Sequence, residues 1–191
     1  GKRMGLPIKR FIASNNRNDI FYQYLQTGVY APRPSVATIA NAMDVGDPSN
    51  FARVLDLYGG SHAAISAEIS GTTYTNEQIA ETMRETWKEC HYLLDPHTAV
   101  AWAVAGQHRA TLTGQTVVLS TASPYKFAPA VLAALGKTVP DDAFAAMDEL
   151  QALTGLSAPA PLAELKSLPI LHRDCIEINE MADFVRRNME D

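Results

Sequence analysis

The residues best suited to chemistry follow a short β-favouring run near the middle of the chain. Residues 116–119 read Thr-Val-Val-Leu, which predicts a central strand, and Ser120 and Thr121 follow at once. Ligands of open α/β sheets bind at the carboxyl ends of the strands, so two hydroxyls there could hold a phosphate or the polar edge of a cofactor ring. The same spacing also allows Ser120 and Thr121 merely to cap the next helix.

Two further polar segments could contribute to a site. In Asp-Pro-His-Thr at residues 95–98, Asp95 is first of all a helix cap, and His97 is either an acid, a base or an anion contact, or a structural histidine. Residues 41–50 form a polar loop containing Asp44 and Asn50, and such loops hold either functional groups or ordinary surface residues.

Several other chemistries lack a sequence signature. The five histidines form no HxxxH or HExxH pair and Cys90 and Cys175 have no CxxC spacing, so we expect no metal site. There is no Gly-x-Gly-x-x-Gly, P-loop or Gly-x-Ser-x-Gly motif. Residue types for a Ser-His-Asp triad exist, but no pattern brings them together. Two cysteines without a framework predict reduced thiols and a cytoplasmic protein.

Composition limits the possible partners. The chain has 191 residues, 47% hydrophobic and 19% charged, with a net charge of −5, which is typical of one globular domain. No block of like charge stands out, so we expect no nucleic-acid partner. The nearly uncharged stretch at residues 98–107 is too short for a bilayer crossing, and the basic amino terminus lacks the apolar region of a signal peptide. We therefore expect no membrane association.

Alternating strands and helices predict an α/β fold with a partial parallel sheet flanked by helices. Residues 8–13 predict a strand, but only two or three strands can be counted in all. We expect helices to begin at Ser, Thr, Asp or Pro residues and to end at Gly residues. The predicted helices cover residues 18–26, 47–58, 75–90, 95–105, 125–135, 141–155 and 176–189.

Four motifs resemble the threonine synthase family, in its bacterial and fungal branch. They are residues 6–19, 41–51, 92–101 and 119–127, in the order and at the intervals of that family. The resemblance covers residues 2–136 well and the tail loosely. It implies a tryptophan-synthase-β-like fold (pyridoxal-phosphate fold type II), pyridoxal 5'-phosphate as cofactor, and conversion of O-phosphohomoserine and water to threonine and phosphate.

The resemblance also implies roles for the candidate residues. Thr121 matches the family's threonine that faces the pyridine nitrogen of the cofactor, with Ser120 beside it. Asp95 and His97 match a motif near the active site. By weaker matches, Asp44 and Asn50 lie in the vicinity of the substrate. The family's motif often has His where this chain has Ser123, which removes any role of that imidazole.

The family's Schiff-base lysine and Gly-Asn-Phe-Gly-Asn phosphate loop lie upstream of the first motif, and neither is found here. We therefore expect the carboxyl-terminal part of a threonine synthase, inactive without its amino-terminal half. Residues 1–155 would belong to the catalytic region and residues 156–191 would form a connector and helix. Two alternatives are another pyridoxal-phosphate lyase of this fold and a non-catalytic half-domain with a binding role.

Overall fold

The computed structural model describes residues 1–189 and contains two compact units, Gly1–Pro159 and Ala160–Asp191. The first unit holds the sheet, seven of the helices of the described chain and all six candidate residues. The predicted division between residues 155 and 156 referred to the catalytic region of a whole enzyme, and it stays a prediction.

Two parallel strands form the sheet. β1 (Phe11–Asn15) pairs with β2 (Ile69–Thr73), with Phe11 opposite Ile69 and Asn15 opposite Thr73. Gly71 is needed for this pairing, since a Cβ there would lie 2.6 Å from the carbonyl oxygen of Ala13. The partial parallel sheet is confirmed. β1 is displaced towards the carboxyl end of the predicted strand, and β2 was not predicted because Ile-Ser-Gly-Thr-Thr carries little apolar signal.

Helices cover the sheet and build most of the core. In the first unit they are α1 (Ile20–Thr27), α2 (Phe51–Leu57), α3 (His62–Glu68), α4 (Asn76–Cys90), α5 (Pro96–His108), α6 (Ala128–Ala134) and α7 (Ala143–Thr154). An aromatic cluster of Tyr24, Phe51 and their neighbours packs α1 and α2 together. Ile79, Val104 and Leu132, from α4, α5 and α6, are fully buried in the remaining helical core.

Local capping chemistry determines where several helices begin. Thr75 and Gln78 form a capping box at α4, Asp95 caps α5, and Asp142 caps α7. The Asp47-Pro48 start is wrong, because α2 begins at Phe51. Asp47 instead accepts a hydrogen bond from the Tyr30 hydroxyl at 2.8 Å.

The strand predicted at residues 116–119 is not formed. Val117 and Leu119 are 81% and 74% exposed, and the two strands that pair within the described residues are β1 and β2. A strand needs a neighbour to satisfy its backbone N–H and C=O groups, and this run has none in the part of the chain described. Ser120 and Thr121 therefore follow a segment without regular secondary structure rather than a sheet strand.

The described part of the second unit contains two α-helices, α8 (Ala160–Ala163) and α9 (Met181–Met189). The predicted last helix therefore begins five residues later than expected, after a 3₁₀ turn at Ile178–Glu180. Several of its large apolar side chains, including Met181 and Val185, are exposed. Within residues 1–189 no helix combines the length and apolar character that a bilayer crossing demands.

Candidate functional site

Asp95 lies at the centre of the candidate site. Its side chain is 1% exposed and caps α5, because an acid followed by proline suits the start of a helix. Oδ1 accepts hydrogen bonds from the backbone N–H groups of His97, at 2.9 Å, and Thr98, at 3.3 Å. The negative charge also lies at the positive end of the helix dipole. Asp95 is therefore a buried carboxylate stabilised by the helix that it begins.

His97 has both ring nitrogens engaged. Nδ1 lies 3.0 Å from Asp95 Oδ1, and Nε2 accepts the backbone N–H of Ala42 at 3.2 Å. The ring packs against Phe127, with 4.7 Å between centroids, and the side chain is 15% exposed. His97 thus joins the start of α5 to the 3₁₀ turn Asn41–Met43.

Asp44 fixes that turn to the carboxyl end of β1. Oδ1 accepts from Asn16 Nδ2 at 2.9 Å and from Asn18 Nδ2 at 3.0 Å. Thr38 donates both its backbone N–H, at 2.8 Å, and its hydroxyl, at 2.7 Å, to the same carboxylate. These four hydrogen bonds to one carboxylate hold the segment between residues 38 and 44 from several sides.

Ser120 joins the site through Thr98. The Thr98 hydroxyl contacts Asp95 Oδ2, and its Oγ1 lies 3.1 Å from Ser120 Oγ. The Ser120 hydroxyl is thereby linked to the buried carboxylate at the start of α5.

Thr121 and Asn50 lie outside these contacts. The exposed Thr121 side chain forms no hydrogen bond within the described residues, and the exposed Asn50 precedes α2 without a capping hydrogen bond. Ser123, not Ser120 or Thr121, caps the following turn by accepting the Tyr125 N–H at 3.3 Å. The capping interpretation of Ser120 and Thr121 is therefore wrong.

Asn16, Asn18 and Thr38 belong to the site but were missed from the sequence. Asn16 and Asn18 are buried polar residues directly after β1. Their position at a strand end was a usable signal, because ligand sites lie there in α/β sheets. Nothing in the sequence connects them to Asp44, which is 26 to 28 residues away.

Shifted pKa values occur away from this network. Burial, and then the hydrogen bond to Asp47, raises the pKa of Tyr30 to about 12. The hydrogen bond between Lys2 and Glu68 raises the pKa of Lys2 and lowers that of Glu68. In residues 1–189 no three His, Cys, Asp or Glu side chains come together in a group that could hold a metal ion.

Two protein-family models match the chain. The one described as "Pyridoxal-phosphate dependent enzyme" matches residues 2–123, and the one described as "Threonine synthase, C-terminal" matches residues 98–180. The first spans more than half of the chain and includes every candidate residue.

Relatives and solved structures agree with these matches. The chain is 38% identical over 167 residues to threonine synthase of Serratia marcescens, covering 86% of the chain and 38% of that protein. It is 36% identical to threonine synthase of Escherichia coli K12, covering 96% of the chain and 37% of that protein. The Escherichia coli crystal structure matches with a TM-score of 0.74 at 33% identity, over 98% of this chain and 39% of that one.

A cofactor-bound structure is also similar. Pyridoxal-phosphate-bound threonine synthase of Brucella melitensis matches with a TM-score of 0.71 at 30% identity, over 97% of this chain and 42% of that one. The chain thus spans about two fifths of the length of the proteins it matches.

Proposed function

Because the chain belongs to the pyridoxal-phosphate-dependent enzyme family and resembles its threonine synthases over nearly its whole length, we propose that it forms the carboxyl-terminal part of a threonine synthase. The whole enzyme would convert O-phosphohomoserine and water to threonine and phosphate in the cytoplasm. The observation that carries the proposal is the match of 98% of this chain to the Escherichia coli enzyme.

The donor set around Thr121 fits the ring end of the cofactor. Thr121 presents an exposed hydroxyl with no hydrogen-bond partner in the described chain, next to Ser120. A neutral hydroxyl is a suitable partner for a pyridine nitrogen, because it donates a hydrogen bond without adding a charge. We assign Thr121 to this contact and Ser120 to the adjacent wall. When bound, pyridoxal phosphate supplies the electron sink for the reaction.

The other candidate residues would support this contact and border the substrate. Asp95 holds the start of α5 and, through Thr98, positions Ser120. His97 and Asp44 hold the turn Asn41–Met43 beside α5. We place Asn50 at the edge of the proposed site, since it lies in the same loop region as Asp44.

The lysine that carries the cofactor would come from another part of the whole enzyme. The six lysines of this chain do not lie in the sequence context of the family's Schiff-base lysine. We therefore expect the 191-residue chain to form no threonine by itself. Its proposed partner is the amino-terminal part of a threonine synthase, which would also provide the cofactor-phosphate loop.

A hybrid enzyme tests the proposal. The hybrid joins the part of Escherichia coli threonine synthase that precedes the matched region to this chain. We expect the hybrid to bind pyridoxal phosphate, seen by absorbance, and to release phosphate and threonine from O-phosphohomoserine. The chain alone should do neither. The matched control joins the same Escherichia coli amino-terminal part to the Escherichia coli carboxyl-terminal part at the same position.

Two results would contradict the proposal. One is threonine formation by the chain alone. The other is a folded, cofactor-loaded hybrid that forms no threonine while the rebuilt control is active.

A further inference from the structure

The hydroxyl of Thr98 has one proton and two close oxygen neighbours. Its Oγ1 contacts Asp95 Oδ2 and lies 3.1 Å from Ser120 Oγ. An ionised carboxylate can only accept, so the Thr98 proton lies towards Asp95. Thr98 must then accept from Ser120, so the hydroxyl proton of the exposed Ser120 points towards Thr98.

The same carboxylate determines the position of a proton on His97. The Ala42 N–H can only donate, so Nε2 of His97 must be the acceptor. The proton of the neutral ring is therefore on Nδ1, where it is donated to Asp95 Oδ1 over 3.0 Å. Both nitrogens are occupied within the chain, which leaves His97 no free position for proton exchange with a ligand.

We propose that Asp95 is a positioning residue that turns the Ser120 hydroxyl proton towards Thr98 and holds His97 as its Nδ1–H tautomer. Two neighbouring hydroxyls then have different roles. Ser120 presents lone pairs to the site and acts as an acceptor, while Thr121 keeps its proton for a ligand. His97 fixes the turn Asn41–Met43 and takes no part as an acid or base. The assignment of the ligand rests on the proposed function, but the proton positions do not.

The proton positions can be measured on the isotopically labelled 191-residue chain without cofactor. Long-range ¹H–¹⁵N spectra near neutral pH should show His97 as the Nδ1–H tautomer. The Ser120 hydroxyl proton should exchange with water at least about tenfold more slowly than that of Thr121, because only the former is bonded within the chain. A dominant Nε2–H tautomer, or equal exchange of the two hydroxyls, would overturn the proposal.

Substitutions separate the role of Asp95 from general stability. Asp95→Asn keeps a capping oxygen for the N–H groups but donates to Thr98 from its amide, so Thr98 should now donate to Ser120. Exchange of the Ser120 hydroxyl should rise about tenfold while His97 keeps its tautomer. Thr98→Val should have the same effect on Ser120, and Thr98→Ser should restore slow exchange. Asp142→Asn, at the cap of α7, is the matched control and should change neither signal.

Ser120→Ala tests whether Asp95 is the acceptor of the Thr98 proton. The Thr98 hydroxyl keeps Asp95 as its partner in this variant, so exchange of its proton should remain slow. Fast exchange would mean that Thr98 does not donate to Asp95, which contradicts the proposal. All these signals are read without substrate, so an inactive hybrid with the expected proton positions would reject the proposed function and leave this inference standing.

Discussion

The network around Asp95 and the segment at residues 116–119 differ in whether their polar and apolar groups find partners within this chain. The buried carboxylate of Asp95 receives hydrogen bonds from α5 and from side chains of the same chain. In contrast, Val117 and Leu119 expose most of their apolar surface, and their backbone has no strand partner in the described residues. The hydrogen bonds of the Asp95 network are formed within this chain, whereas residues 116–119 have the composition of a buried strand but lie exposed.

This difference agrees with a chain that spans about two fifths of its relatives' length. Polar contacts that are local in sequence, such as those of the Asp-Pro-His-Thr motif, need only this chain. A parallel strand needs neighbours that are distant in sequence, and in the proposed whole enzyme these would come from the amino-terminal part.

Removal of Asp95 should have the largest effect on the chain itself. Asp95→Ala removes the cap of α5 and leaves buried donors of His97 and Thr98 without an acceptor. We expect the free energy of unfolding to fall by about 3 kcal/mol, measured by urea denaturation. The matched control Asp142→Ala removes an exposed cap at α7 and should cost about 1 kcal/mol. Equal losses in the two variants would show that Asp95 is no more than a helix cap.

The sequence predicted the parts of this site that depend on neighbours within one helical turn. Asp95 at α5, Asp142 at α7 and the Thr75–Gln78 capping box were all recognisable, because each cap and its N–H partner are two or three residues apart. The resemblance supplied the family, and the comparisons confirmed it.

Contacts between residues that are distant in sequence could not be predicted from local patterns. Asp44 binds Asn16 across 28 residues, and the Ala42 N–H reaches His97 across 55. No local pattern encodes these partners. The strand prediction at residues 116–119 failed for a related reason. Apolar β-branched residues suit the half-buried surface of a sheet, but a strand forms only where a neighbouring strand pairs with it.

The exposed run should matter only when the rest of the proposed enzyme is present. In the chain alone, Val117→Ser with Leu119→Ser should change the free energy of unfolding by less than about 0.5 kcal/mol, since both side chains are already in water. In the hybrid the same pair should cost about 2 kcal/mol, because it removes apolar surface that we expect to be buried there. Thermal and urea denaturation of both forms measure the difference.

A buried residue provides the control for that comparison. Leu132 is fully buried in the first unit, so Leu132→Ala should destabilise the chain alone and the hybrid alike, by about 3 kcal/mol. If the double substitution Val117→Ser with Leu119→Ser also has the same effect in both forms, residues 116–119 are not covered by the amino-terminal part.

The smallest effect is expected from the ion pair at the amino-terminal side of the sheet, far from the candidate site. Lys2 Nζ donates to Glu68, which also accepts from the Tyr58 hydroxyl at 3.1 Å. The Lys2 hydrogen bond, more than any other factor, holds the pKa of Glu68 below its ordinary value of 4.5. A lowered folded-state pKa stabilises the fold above the unfolded-state pKa, and this contribution is lost as the pH falls through the folded-state value.

Both charged groups are more than a third exposed, so solvent should keep that contribution small. Melting temperatures measured from about pH 6 down to about pH 3 should therefore fall slightly less in Glu68→Gln than in the unchanged chain. Glu81→Gln, on the exposed side of α4, serves as the control and should follow the unchanged chain. An acid-induced loss of stability that is identical in Glu68→Gln and the unchanged chain would show that this pair contributes nothing measurable.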